Sequence, residues 1–195
     1  IQHLNTLNIA EDTIIIFMTD NGTANGVELD EKEFPKEGQG SYNSGMRGKK
    51  GSPYEGGHRV PFFLYCPQQK LSRGKDISDL ASYVDFMPTV LDLCNIETSH
   101  ERCFHGESLI PLINDESDHD WSDRTTVCDT QRVAHPIKWR RSSVMQDSWR
   151  LINGKELYNL QFDPGQRKNV SNKYPDRVIS LRKVYDRWWK LISPQ

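Results

Sequence analysis

The sequence predicts an α/β fold joined to a small α+β subdomain with an antiparallel sheet and a C-terminal helix. Three observations carry that prediction. Two short apolar runs, residues 13–19 and 60–66, are rich in β-branched and aromatic residues and bounded by turn residues. Such runs read as strands buried on both faces, as in parallel sheets. Near the other end, Asn153-Gly154 separates two strand-like runs, 149–152 and 156–160, and is a strong type I′ hairpin signal. From Pro175 onward, Val178, Leu181, Tyr185, Trp188 and Ile192 recur at helical spacing behind a first-turn proline.

Taken in order, the start I-Q-H-L-N-T-L-N-I-A reads as the end of a helix feeding the first strand, with no signal peptide. Residues 23–44 are polar, glycine-bearing and without period, which predicts a long loop of the functional kind. Pro61 opens the second strand, where a lost N–H is tolerated. Asp85 is placed to cap a helix with Pro88 in its first turn. On that helix Phe86, Val90 and Leu93 share one face, and Met87, Leu91 and Cys94 the adjoining one, so the stripe is read as packing. Polarity rises sharply over N-D-E-S-D-H-D-W-S-D-R, residues 114–124. The boundary is set there, with 1–118 assigned to the larger α/β domain and 119–195 to the subdomain. His119 among its acids reads as part of a solvated linker. Short strands are then expected at 125–128 and 142–146, and Asp163-Pro164-Gly165 as a turn.

Composition excludes more than it assigns. With 27 acidic and 25 basic residues in 195, the net charge is −2, and no global field recruits nucleic acid or a membrane surface. The hydrophobic fraction of 35% and mean hydropathy of −0.72 are low for a self-sufficient globule and fit a piece of a larger core. No run approaches the roughly 18 apolar residues of a membrane span. The four cysteines, Cys66, Cys94, Cys103 and Cys128, lack CxxC spacing, which argues against zinc. Cys66 and Cys94 lie among apolar residues and read as small buried hydrophobes. Cys94 and Cys103 are close enough in sequence to pair, a matter sequence leaves open.

Chemistry concentrates in two stretches. The first strand ends on Asp20-Asn21-Gly22, offering a carboxylate and an amide oxygen. In open α/β sheets, ligands sit beyond the carboxyl ends of strands. Both groups are hard oxygen donors suited to calcium or magnesium, with an unliganded Asx turn as the plain alternative. The second stretch, G-M-R-G-K-K-G-S-P-Y-E-G-G-H-R-V-P (45–61), holds five glycines and the five basic residues Arg47, Lys49, Lys50, His58 and Arg59. Glycine permits close backbone approach to a ligand, and lysine and arginine hold an anion. A mobile surface loop is the bland alternative.

Together with Y-V-D-F-M-P-T-V-L-D-L-C-N-I, H-G-E-S-L-I-P-L-I and E-L-Y-N-L-Q-F-D-P-G-Q-R-K-N-V, these stretches resemble the sulfatase family of the alkaline-phosphatase-like fold. The resemblance runs in family order over almost the whole chain and fits the carboxyl-terminal part of such an enzyme. It implies hydrolysis of a sulfate ester, on an aryl sulfate or a sulfated glycan. It implies that Asp20 and Asn21 help ligate a divalent cation, usually calcium, with magnesium as the alternative. It implies that Lys50, four residues before Y-E-G-G, contacts the sulfate and serves catalysis, although many members carry glycine where Lys49 stands. His58 and Arg59 are candidates for the sugar or leaving group, or pins for the loop. His105 falls in a segment that usually reads D-G-x-S-L and is expected to be structural or to support the site from behind.

The same resemblance implies parts not found in these residues. Sulfatases carry a Cys/Ser-x-Pro-x-Arg motif whose first residue becomes the formylglycine nucleophile, and none occurs here. Cys128-Asp129-Thr130-Gln131-Arg132 is a decoy, with threonine where proline belongs. The chain alone is thus expected to be inactive, with the amino-terminal half of the same protein as its necessary partner. Periplasmic, secreted or lysosomal location is what the family implies. Two rivals remain: a phosphodiesterase or phosphonate hydrolase of the same superfamily, and a non-catalytic paralogue that binds sulfated glycans.

Overall fold

A computed structural model describes residues 1–22, 44–68, 71, 74–97, 104–116 and 121–193. The long loop expected at 23–44, apart from Ser44, and Cys103 and His119 lie outside the described residues. In chain order the elements are α1 (Gln2–Thr6), β1 (Ile15–Met18), α2 (Glu55–His58), β2 (Phe62–Tyr65), α3 (Phe86–Leu93), α4 (Ile110–Ile113), β3 (Thr125–Asp129), β4 (Ser142–Gln146), β5 (Trp149–Ile152), β6 (Glu156–Asn159) and α5 (Pro175–Ile192). They fall into two compact units. The first holds residues 1–18 and 62–123; the second holds 19–61 and 124–195. The chain thus passes into the second unit for good beside the polar stretch at 114–124, but it also visits that unit earlier, through the glycine-rich stretch.

In the first unit β1 and β2 pair antiparallel, with Phe17 opposite Phe63 and Met18 opposite Phe62. This corrects the expectation of a parallel arrangement. Phe17 and Phe63 are mainly exposed, their rings 6.0 Å apart. The physical reason is that an unbroken apolar run encodes strand propensity and burial tendency but not strand direction. Cys66 is buried as expected, whereas Cys94 carries a free, exposed thiol at the position that ends α3. Asp85 stands at the N-cap position of α3 as expected, but its side chain does not cap that helix. Ser82 is the residue that starts a short 3₁₀ turn, and Asp85 is its reciprocal partner three residues on. The fully buried Asp85 carboxylate accepts from the Ser82 amide at 2.7 Å and from the Glu107 amide at 3.0 Å. Thr89 adds a second clasp by accepting from the Leu109 amide at 2.9 Å. These buried bonds fix the 104–109 segment against α3, on which His105 itself stands exposed.

The second unit is built on a four-stranded antiparallel sheet, β3-β4-β5-β6 in sequential order. Asn153 and Gly154 turn the β5–β6 hairpin with φ of 50° and 67°, closed by the Lys155 amide on the Ile152 carbonyl at 2.9 Å. Helix α5 covers the sheet because Val178, Leu181 and Tyr185 fall on one stripe. They pack on Val144, Leu151 and Leu157, all fully buried or nearly so. Burial of each aliphatic side chain there contributes about 1.5–3 kcal/mol. Trp188 and Trp189 pack around Tyr185, with centroids 5.3 and 5.9 Å from its ring, and so belong to this core as the helical spacing implied. Ile192, at the end of the same stripe, is about half exposed. Among the described residues no helix is long and apolar enough to cross a membrane.

Candidate functional site

The glycine-rich stretch folds back on itself by contacts that side chains would block. The Gly56 amide donates to the Arg47 carbonyl at 2.8 Å, and the Gly57 amide to the Tyr54 carbonyl at 2.8 Å. A Cβ on Gly57 would lie 2.1 Å from the Ser52 carbonyl oxygen. Onto this knot docks the upstream stretch: the Gly22 amide donates to the Gly57 carbonyl at 3.0 Å, and a Cβ on Gly22 would lie 1.9 Å from the Gly56 oxygen. Asp20-Asn21-Gly22 and the lysine loop, read separately in the sequence, are therefore held together within one unit.

Lys50 occupies the tip of a tight turn. The Ser52 amide donates to the Lys49 carbonyl at 2.8 Å, and Gly51 sits third in the turn at φ 82°, the left-handed value a type II turn needs there. The Lys50 side chain is exposed and Lys49 is half-buried. The turn is tied to the sheet by the Thr130 hydroxyl, which lies 3.1 Å from the Gly51 carbonyl. Asp20 is exposed, Asn21 is half-buried, and the Thr19 hydroxyl donates to the Asn21 carbonyl at 3.2 Å.

The remaining cations of the stretch have other work. Arg47 lies over the Tyr54 ring, 3.9 Å from its centroid, and donates to Tyr158 Oη at 2.9 Å and the Gln166 carbonyl at 3.2 Å. Tyr54 donates to Glu156 Oε2 at 2.9 Å, and burial, reinforced by that carboxylate, pushes the Tyr54 and Tyr158 phenols up. Arg59 is largely exposed and leans on Glu55 at 3.7 Å. His58 Nε2 donates to the Pro53 carbonyl at 3.2 Å, and burial lowers its affinity for a proton despite the nearby Glu55 carboxylate.

Glu55 is the centre of the loop's architecture. Its carboxylate is 2% exposed and accepts from Arg150 Nε on β5 at 2.8 Å. Its amide donates to Gln166 Oε1 at 2.9 Å. The partners Arg150, Glu156, Tyr158 and Gln166 were missed, since nothing local marks a contact across some 100 residues of chain. The decoy Cys128 lies within β3, where burial pushes its thiol up to about 11, so it is poorly suited to nucleophilic work.

A pH effect follows from His58. Its folded-state pKa lies below the ordinary 6.5, so below that pH the unfolded chain binds more protons. Stability is expected to be full above about pH 6.5 and to fall as the pH drops through and below it. Urea midpoints at pH 5.5 and 7.5 for wild type and His58→Gln test this; identical pH dependence in both would remove His58 as the cause.

The elements are those of a mixed α/β fold in which a strand-end Asp-Asn pair is docked to a glycine-knotted lysine turn. The sulfatase family model matches residues 1–96. Mouse steryl-sulfatase is 34% identical over 155 residues, covering 80% of this chain and 22% of that protein. An arylsulfatase of Clostridium perfringens is 31% identical over 180 residues, covering 89% of this chain and 33% of its own length. Among solved structures, BT4656 in complex with its substrate D-glucosamine-2-N,6-O-disulfate superposes with a TM-score of 0.68 at 21% identity, covering 97% of this chain and 36% of that one. The chain belongs to the sulfatase family. It spans a third or less of the length of these two curated relatives.

Proposed function

We propose that this chain forms part of a sulfuric ester hydrolase, in which Lys50 binds the sulfate and Asp20 and Asn21 contribute to a divalent-cation site. The observation that carries the proposal is the docking of Gly22 on Gly57, which keeps the carboxylate-amide pair and the lysine turn in one rigid unit. The residues fit a calcium or magnesium ion. Asp20 is exposed and makes no hydrogen bond or ion pair with another described residue, and both side chains offer hard oxygens. They would be two of about six to eight ligands. No group of three or more His, Cys, Asp or Glu converges among the described residues, so further ligands come from elsewhere. Bound there, the cation supplies Lewis-acid polarisation of the sulfate oxygens.

The residues of this chain bind and orient. The Lys50 ammonium neutralises charge on the non-bridging oxygens as the sulfur–oxygen bond to the leaving group breaks. Arg59 and His58 flank the stretch; Arg59, exposed and only loosely paired, is the better placed of the two to reach a sugar hydroxyl or leaving group. None of the 195 residues forms Cys/Ser-x-Pro-x-Arg, so the nucleophile is expected from another part of the protein. A substrate that is a sulfated glycan or an aryl sulfate suits this arrangement.

The test is sulfate release from an aryl sulfate by the full-length protein, with calcium titrated by calorimetry. Asp20→Ala is expected to abolish turnover and to weaken calcium binding. Equal calcium affinity in variant and wild type would remove Asp20 from the site, and absence of turnover in a folded, calcium-loaded wild type would overturn the hydrolase reading.

A further inference from the structure

A groove of about 720 Å³ opens in the second unit between the residues just before β4, the β5–β6 hairpin and α5. Its lining includes Lys138, Arg140, Arg141, Lys155 and Arg182, with Trp139 among them. Two of these cations are committed. Lys138 pairs with Asp186 at 2.7 Å, and the Arg182 guanidinium holds the Gly154 carbonyl at 2.8 and 2.6 Å. Arg140, Arg141 and Lys155 are exposed, and their side chains make no hydrogen bond or ion pair with another described residue. Asp186 is the acid facing this cluster, and Lys138 already neutralises it.

The backbone that presents these charges is held tightly. Trp139 and Arg141 both adopt left-handed conformations, at φ 68° and 50°, which bulky residues keep only when their surroundings impose it. Tyr185 imposes it: its oxygen accepts from the Trp139 amide at 3.0 Å, and its ring stacks on the indole at 3.8 Å. The backbone of Gly154 closes over the same indole, so near that a Cβ there would lie 2.8 Å from ring carbon. The backbone beneath Arg140 and Arg141 therefore needs no further ordering when an anion binds.

The loop that carries Arg140 and Arg141 is also tied to the lysine turn. The Thr130 hydroxyl lies 3.1 Å from the Gly51 carbonyl and 3.2 Å from the Arg141 carbonyl, and the Thr130 amide donates to Arg141 as well. One residue therefore separates the backbone of the Lys50 turn from the backbone of the groove. We propose that Arg140, Arg141 and Lys155 bind a second anionic group on the same sulfated oligosaccharide whose ester lies at Lys50. This rests on the sulfate-ester reading above and narrows its substrate from any aryl or glycan sulfate to a polyanionic chain. A nucleic acid fits less well, because Trp139, the aromatic residue of the groove lining, already stacks on Tyr185.

The probe is a heparin-derived hexasaccharide, titrated calorimetrically into the full-length protein. The variant combines Arg140→Gln, Arg141→Asn and Lys155→Gln, asparagine being chosen because it tolerates the left-handed backbone at 141. Loss of three exposed ion pairs is expected to weaken binding by on the order of tenfold at low salt. The pair Arg187→Gln and Lys190→Gln, exposed cations of α5 outside the groove, is expected to leave binding within about twofold. Thermal melts establish that each variant is folded. Unchanged binding in the folded triple variant, or an equal loss in the α5 pair, would overturn the proposal. So would equal competition by a single-stranded RNA of matched charge. Because binding is read without turnover, its failure is distinct from failure of the hydrolase reading, which the aryl sulfate assay reports.

Discussion

Lys50→Ala is expected to reduce turnover of an aryl sulfate by ~10²–10³, the usual loss when a preorganised charge donor is removed from a developing anion. Lys49→Ala is expected to cost far less. The two lysines are neighbours in sequence but not in role, because the turn separates them. Lys49 is first in the turn, half-buried, with its carbonyl engaged by Ser52; Lys50 is second, at the exposed tip. Gly51 follows at a φ that few other residues adopt, which locks this register. Initial rates of both variants, with calcium saturating, decide the matter. A larger loss for Lys49→Ala would place the sulfate one residue earlier.

Arg150→Met is expected to destabilise the second unit by about 3–5 kcal/mol, the typical cost of stranding one member of a buried ion pair. Glu55 is 2% exposed, and once Arg150 is gone its charge keeps the exposed Arg59 at 3.7 Å, a weaker partner than the buried guanidinium at 2.8 Å. Glu55→Met with Arg150→Met should recover most of that loss, since two apolar residues can fill the space without an uncompensated charge. Denaturant midpoints of the two singles and the double form a cycle whose coupling term is the quantity of interest. Additive losses would mean that the pair is incidental to stability. The experiment bears on catalysis too: Glu55 opens α2, whose Gly57 carbonyl receives Gly22, so loosening Glu55 is expected to loosen the hold on Asp20 and Asn21.

How much of this was legible beforehand depended on how local each signal was. The sheet and helix of the second unit were readable almost residue for residue. Alternation, the Asn153-Gly154 turn and the Val178-Leu181-Tyr185 stripe are all short-range patterns with one physical interpretation each. The pairing of β1 with β2 was not readable, because apolar runs look alike in either direction. Nor was the cap at Ser82, since Ser82 and Asp85 are both good capping residues and the reciprocal bond decides between them. In the glycine-rich stretch the abundance of cations pointed to an anion-binding loop but left open whether His58 and Arg59 face a ligand or pin the loop. The fold sends Arg47 inward, lowers the proton affinity of His58 by burial and sets Arg59 against Glu55. Lys50 was singled out by the family resemblance, and the turn adds that it sits at an exposed tip.

The pairing of Met18 with Phe62 has a consequence for how such a protein can change over generations. The segment 19–61, which carries the Asp-Asn pair and the lysine turn, leaves one strand and returns through its immediate neighbour. Its two ends are therefore held at adjacent positions by a ladder that does not depend on what lies between them. Closing a flexible excursion costs only about 0.6 kcal/mol more for each doubling of its length. Residues can accordingly be gained or lost within the segment at little expense to the strands that bracket it. What limits change in the segment is therefore its own contacts in the second unit, such as Glu55 on Arg150 and Gln166, and not the strands that bracket it.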